Sequence, residues 1–159
     1  MKHLTVTVIT DTHYYSEKNG VSGAAYESAN FKSQKLLKNV AAVLEAAYKQ
    51  IAKDVRSDIV LLCGDVTNNG ELNSHAEAIE QLRRLKAAGK RVYVITATHD
   101  YRENGITAAY DGDREITTPT ALRDDLFDMY REFGPDEALA VHRASMSYVV
   151  ELNEDYCLF

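Results

Sequence analysis

Asp58-Ile59-Val60-Leu61-Leu62-Cys63-Gly64-Asp65 is an apolar run of strand character that stops abruptly at a glycine and a carboxylate. Two other apolar runs end the same way. Leu4 to Thr10 delivers Asp11-Thr12-His13, and Arg91 to Ile95 leads into Thr98-His99-Asp100. Between these runs lie segments of helical period. From Phe31 to about Val55 the residues Phe31, Leu36, Leu37, Val40, Val43, Leu44, Ala47 and Ile51 mark one apolar face, which predicts a long packing helix. Ser74 to Ala88 predicts another, with Ser74 and Glu77 as a capping box and Gly89 at its C-terminal cap. The order β-α-β-α-β predicts an α/β fold, a mainly parallel sheet with right-handed crossovers and flanking helices. In such a sheet the C-terminal strand ends share one edge, so the three polar clusters are expected to converge.

That convergence would bring together Asp11, His13, Asp65, His99 and Asp100. Asp11 and His13, two residues apart, point the same way if the chain stays extended beyond its strand. Gly64 lets the backbone turn sharply before Asp65. Mixed oxygen and nitrogen ligands suit divalent Mn, Fe, Co or Zn. A carboxylate shared by two such ions about 3.5 to 4 Å apart would let them clamp a phosphoryl group and generate hydroxide. An imidazole beside a carboxylate at the third strand end suits a general acid, with no bond between the two side chains required. Taken alone, Asp11-Thr12-His13 and Gly64-Asp65 read better as ordinary strand ends and turns, and His99-Asp100 equally well as one; their recurrence at three strand ends is what points to a site.

The rest of the chain carries less chemistry. Tyr14 to Asn30 reads as a loop over the strand edge, with Tyr14, Tyr15 and Tyr26 as surface tyrosines. Lys35, Lys38, Lys49 and Lys53 read as a solvated helix face, and His75 as structural or exposed. Tyr101 to Pro119 reads as a polar surface loop or small cap. A helix through Leu122, Leu126, Met129, Tyr130 and Phe133 should end at Gly134-Pro135. Ser147 to Leu152 reads as a fourth strand and Tyr156 to Phe159 as a fifth.

The 159 residues suit one domain over 1–159, and a hydrophobic content of 45% allows a substantial core. A net charge of -6 argues against a nucleic-acid groove, which needs clustered Lys and Arg. It leaves room for an anionic substrate, because bound divalent ions reverse the local sign. The two cysteines lack metal-ligand spacing, and Cys63 reads as a small apolar residue at a strand end. No apolar h-region or membrane-length segment occurs, which predicts a cytoplasmic protein without a membrane partner.

Asp11-Thr12-His13, Gly64-Asp65 and Thr98-His99-Asp100 together resemble the first three motifs of the calcineurin-like metallophosphoesterases. The longer Gly64-Asp65-Val66-Thr67-Asn68-Asn69-Gly70-Glu71 and Phe133-Gly134-Pro135-Asp136-Glu137-Ala138 segments look most like a bacterial branch with cyclic-nucleotide phosphodiesterase-like members. The resemblance implies an α/β/β/α sandwich, of which this chain would be the first half, and a phosphomonoester or phosphodiester hydrolase using two divalent ions. It implies that Asp11 and His13 hold one ion, that Asp65 bridges the pair, and that His99 assists the leaving group with Asp100 in support. The implied substrate is a small phosphoester, a nucleotide among the candidates.

Two departures qualify what the resemblance implies. The family carries Gly-Asn-His where this chain has Ala97-Thr98-His99, so Thr98 stands in for an asparagine that binds the second ion. The family's later histidines have no counterpart among the five here, His3, His13, His75, His99 and His142. The chain is therefore expected to be incomplete at its C-terminus, or to cover an unfinished sheet by homo-oligomerising. The alternative function is a degenerate, non-catalytic binding or assembly domain. A generic nucleotide-binding domain fits less well, because no glycine-rich phosphate loop follows the first strand.

Overall fold

In the computed structural model, which describes residues 3–33 and 35–159, the three apolar runs form β1 (Val6–Ile9), β2 (Ile59–Cys63) and β3 (Arg91–Ile95). They pair in parallel in the order β1-β2-β3, with Val6 opposite Ile59 and Ile59 opposite Arg91. Alternation along β2 and β3 sends Val60, Leu62, Val92 and Val94 to one face and Ile59 and Tyr93 to the other. One face is covered by helices and most of the other by later strands, as a parallel sheet requires.

The first face packs on two helices, α2 (Leu37–Lys53) and α3 (Leu72–Ala87), through Leu44, Tyr48, Ala78, Ile79, Leu82 and Leu85. A preceding helix α1 (Ala24–Ser33) occupies half of what the sequence predicts to be loop. The expected long helix is therefore two. Phe31 belongs to α1 and is 90% exposed, and Leu36, ahead of α2, is 75% exposed, so neither joins the apolar stripe. The tyrosines expected at the surface are buried: Tyr14 lies in the main core, and Tyr15 and Tyr26 form a small cluster with Leu37.

α3 begins at Leu72, before the expected capping box. Ser74 is buried inside the helix, and its hydroxyl accepts from Ser16 N–H (3.1 Å) and the Asn19 amide (3.2 Å). It fastens a short 3-10 turn, Glu17–Asn19, onto the helix instead of capping it. Gly89 does follow the helix end in a left-handed conformation (φ 90°).

The segment expected to be a loop after residue 100 contains a hairpin, β4 (Ile106–Asp111) and β5 (Arg114–Pro119), turned by Gly112-Asp113. It packs on α1, with the Tyr110 and Tyr26 rings edge to face at 5.5 Å. The helix expected before Gly134 shrinks to a 3-10 turn, Arg123–Asp125, and one turn of α4 (Leu126–Met129).

The last strands do not extend the parallel sheet. β6 (Ala140–His142), β7 (Ser147–Asn153) and β8 (Tyr156–Leu158) form a separate antiparallel sheet. Tyr148 and Val150 of β7 pack against Ile59 and Tyr93, so a small second sheet covers the face that was expected to lie bare. The Tyr148 hydroxyl donates to Val94 O at 2.9 Å. Its ring lies over Gly134, where a Cβ would meet it at 2.4 Å and φ is 127°. Coverage is incomplete, since Val8 and Ile95 at the sheet margins remain exposed. Among the described residues no helix is long and apolar enough to cross a membrane.

Candidate metal centre

β1 ends at Ile9, and the chain then leaves the extended conformation that would have aligned Asp11 with His13. Asp11 has φ 54° and His13 φ 42°; Asp65, following Gly64 at φ 84°, has φ 48°. Their alignment comes from these left-handed turns. Among the described residues only Met146 shares that conformation without being glycine. Such backbone is unfavourable for side chains larger than glycine's and collects at functional sites.

The two loops continue side by side beyond the strands. Asp11 N–H donates to Gly64 O (3.2 Å), His13 N–H to Asp65 O (2.9 Å), Tyr14 N–H to Val66 O (2.8 Å) and Asn68 N–H back to Tyr14 O (3.0 Å). Thr12 adds its hydroxyl to Val66 O at 2.8 Å. Gly64 fits because its Cα faces Ala97, where an added Cβ would sit 2.8 Å from the alanine methyl.

The product is a cluster of three side chains able to hold a metal ion. His13 Nε2 lies 3.9 Å from Asp11 Oδ1 and 4.0 Å from Asp65 Oδ2, and all three ligand atoms fall within 4.8 Å of one another. Adjacent ligands of a first-row ion at bond lengths near 2.1 Å lie roughly 3 Å apart. The cluster is slightly open, and the Asp11 side chain is 62% exposed, with Oδ2 accepting from the Thr10 hydroxyl and Oδ1 facing His13. Two carboxylates and one imidazole are a donor set for a borderline divalent ion, so the residues fit a metal. His13 is pushed below the usual histidine range, first by burial and then by Lys35 and His99, with Asp65 opposing. That favours the neutral imidazole a metal needs.

His99 lies edge-on to His13, ring centres 4.8 Å apart. Its Nδ1–H donates to Asn68 O at 2.7 Å, and its backbone N–H donates to Asp65 Oδ1 at 3.1 Å. Asp100 is fully buried and turns away from that ring. Its Oδ1 accepts from Thr67 N–H (2.8 Å) and the Thr67 hydroxyl (3.1 Å), and its Oδ2 from Ala97 N–H (2.8 Å). Asp100 thereby ties the loop after β2 to the loop after β3. Thr98 is exposed, and its carbonyl accepts from Arg102 (3.2 Å). His75 is structural, as one of its two readings held. It is buried, with Nε2–H donating to Asp100 O (2.8 Å) and Nδ1 accepting from the Tyr130 hydroxyl (2.7 Å).

One residue of the site was misread from sequence. Lys35 is not on a solvated helix face: it falls in the break between α1 and α2, with its N–H on the Ser33 hydroxyl (3.2 Å). Its ammonium reaches His13 Nδ1 (3.2 Å) and Asn68 Oδ1 (3.1 Å). Burial lowers its pKa, with Arg102 adding to the effect, while Asp65, Glu71 and Asp11 oppose. A helix period cannot reveal a break, so the sequence held no direct signal for it. The apolar cleft of about 400 Å³ beside Tyr93, Met146 and Tyr148 includes none of these site residues.

No curated protein matches the chain closely enough to serve as a relative. The family model for calcineurin-like phosphoesterases matches residues 4–152, a span that runs from just ahead of β1 into β7 of the second sheet and takes in the whole of the Asp11, His13 and Asp65 cluster. The chain belongs to the calcineurin-like phosphoesterase family.

Proposed function

We propose that this chain hydrolyses a small phosphoester at the Asp11, His13 and Asp65 centre. The observation that carries the reading is the coincidence of strain with ligand chemistry: three of the four non-glycine residues with positive φ among the described residues are the three that form the ligand cluster. Asp11, His13 and Asp65 would hold a divalent cation, Mn²⁺ being our choice. When bound, such an ion supplies Lewis-acid polarisation of a phosphoryl oxygen and a lowered pKa for water. Neutral His13 would offer Nε2, and Asp65 Oδ2 would complete the pair while its Oδ1 keeps hold of the His99 amide. His99, its Nδ1–H committed to Asn68 O, has Nε2 left to face a leaving oxygen, and would pass it a proton from there as the imidazolium, returning to the neutral Nδ1–H form. Asp100 is a positioning residue in this scheme.

A second reading, a non-catalytic member of the family, is favoured by one observation. Thr98 occupies the position where the family resemblance puts an asparagine ligand, and it is exposed. The deciding experiment is a Mn²⁺ titration by calorimetry together with hydrolysis of bis-aryl and aryl phosphates. Binding near one ion per chain that Asp65→Asn weakens on the order of 100-fold, with Mn²⁺-dependent hydrolysis that His99→Gln slows, supports the enzyme. Absence of hydrolysis favours the second reading, and absence of Mn²⁺ binding sinks the enzyme.

A further inference from the structure

Glu71 has no exposed surface, and burying a carboxylate is costly unless hydrogen bonds offset its lost hydration. It stands at the N-cap of α3, where a carboxylate ordinarily accepts from the first turn of the helix. Its side chain caps no helix amide. It turns back along the chain instead, Oε1 accepting from the Asn68 side-chain amide (3.3 Å) and Oε2 from Asn69 N–H (3.1 Å). The positive end of the α3 dipole offsets part of its charge.

The bond from Asn69 N–H ties this carboxylate to the site. Asn69 N–H and Asn68 O belong to one planar peptide unit. On the other side of that unit, Asn68 O accepts from His99 Nδ1 at 2.7 Å. A carbonyl only accepts, so this ring nitrogen carries a proton in the neutral and the charged ring alike. A carboxylate on the N–H side of a peptide polarises its carbonyl, and hydrogen bonds in such a chain strengthen one another. The Asn68 side chain fixes the unit further, its Oδ1 accepting from the Lys35 ammonium (3.1 Å) while its amide serves Glu71. Asp100, next to His99 in sequence, cannot take this place, because Thr67 and Ala97 occupy both of its oxygens.

Building on the phosphoesterase reading, we propose that Glu71 is the positioning residue for His99: acting through the Asn68-Asn69 peptide, it holds the Nδ1–H and so keeps Nε2 turned to the leaving oxygen. The site then has a carboxylate behind its histidine with one peptide unit in between.

The test uses the full chain, Glu71→Gln, His99→Gln and the double variant. Glutamine is close to glutamate in volume and keeps one acceptor oxygen without the charge. Glu71→Asp, whose carboxylate falls short of Asn69 N–H, stands in if glutamine prevents folding and should show the same effects. Proton spectra of the metal-free chain show the His99 Nδ1–H, identified by its loss in His99→Gln. It should be resolved in the parent and exchange with solvent about tenfold faster in Glu71→Gln, as weakening of a charge-supported hydrogen bond implies. Exchange within about twofold of the parent, or no resolved Nδ1–H in the parent, overturns the proposal and leaves the phosphoesterase reading intact. Mn²⁺-dependent hydrolysis of phenyl phosphate, whose poor leaving group needs an acid, gives the second readout. Glu71→Gln should lower kcat about tenfold with KM within about twofold, a part of the roughly 10²- to 10⁴-fold that a positioned acid contributes. In the His99→Gln background the same change should cost less than about twofold, since both act on one group. An equal loss in both backgrounds makes Glu71 a support of the fold alone and overturns the proposal. No Mn²⁺-dependent hydrolysis by the parent overturns the phosphoesterase reading and this one together.

Discussion

Asp100→Asn tests whether a buried carboxylate holds the two site loops together. Asp100 accepts three hydrogen bonds with no exposed surface: two from Thr67 and one from Ala97 N–H. Asparagine keeps one acceptor oxygen. If that oxygen serves Thr67, the new amide NH₂ faces Ala97 N–H, donor against donor, at a part-buried contact. The loss is one hydrogen bond to a charged group, about 1.5 to 3 kcal/mol, plus a part-buried N–H left without a protein partner, at the low end of about 1 to 3 kcal/mol. Relaxation of the loop recovers part of this, so the expected destabilisation is about 3 kcal/mol, a large share of the roughly 5 to 15 kcal/mol typical of a domain. Urea unfolding is the assay. With a slope of about 2 kcal/mol per molar, the midpoint should fall by about 1.5 M at unchanged slope. The variant should also bind Mn²⁺ less well, because Thr67 and Ala97 flank the Asp65 and His99 loops. A midpoint within about 0.3 M of the parent would refute the reasoning, since that is near 0.6 kcal/mol and far below one lost buried bond.

Other expectations follow from single features. Burial holds His75 below the usual histidine pKa of about 6.5, so on acidification the unfolded chain takes up the proton first. Its stability contribution is complete above that pH and drains away as pH falls below it. The urea midpoint of the parent should therefore drop more steeply between pH 7.5 and 5.5 than that of His75→Gln, and equal slopes would count against a buried neutral His75. Asp113 Oδ1 accepts Ala24 N–H at 2.8 Å, so Asp113→Ala should lower stability by about 1 kcal/mol and speed amide exchange in α1 first. Asp11→Gly should remove Mn²⁺ binding yet leave metal-free stability within about 0.5 kcal/mol, because relief at φ 54° offsets the added freedom of the unfolded chain. A loss above about 1.5 kcal/mol would show that Asp11 makes structural contacts beyond its bond from the Thr10 hydroxyl.

The parallel sheet was legible because its signal is local: β-branched runs that stop at Gly or Asp leave little choice of element. What could not be read was set from a distance. α1 has no N-cap in its own sequence, and the residue that satisfies its first turn, Asp113, is 89 positions away in the β4-β5 turn. Ser74 has the chemistry of a cap, but Ser16 and Asn19 use its hydroxyl instead. The hairpin did have a local sign, Gly112-Asp113 between alternating Thr, Ile and Tyr, which is a two-residue turn signature. Its charged flanks masked it, as only Ala109 and Thr118 of its strands are buried.

The cluster of Asp11, His13 and Asp65 was expected from sequence by the wrong geometry. Extension would have aligned Asp11 and His13, but the molecule aligns them with left-handed backbone at both residues and at Asp65. Such a conformation, costing on the order of 1 kcal/mol per residue, persists only where surrounding bonds leave no alternative. Here the constraint comes in two tiers. The paired loops exchange backbone bonds from Asp11 to Asn68, and behind them Asp100 clamps Thr67 and Ala97 while His75, itself held by Tyr130, clamps the Asp100 carbonyl. The buried tier bears no ligand, so its polar residues are explained by the strain in front of them. His75 and Tyr130 lie on α3 and just beyond α4, elements that never reach the metal centre, and this is why neither carries a sequence motif for the site they hold in shape.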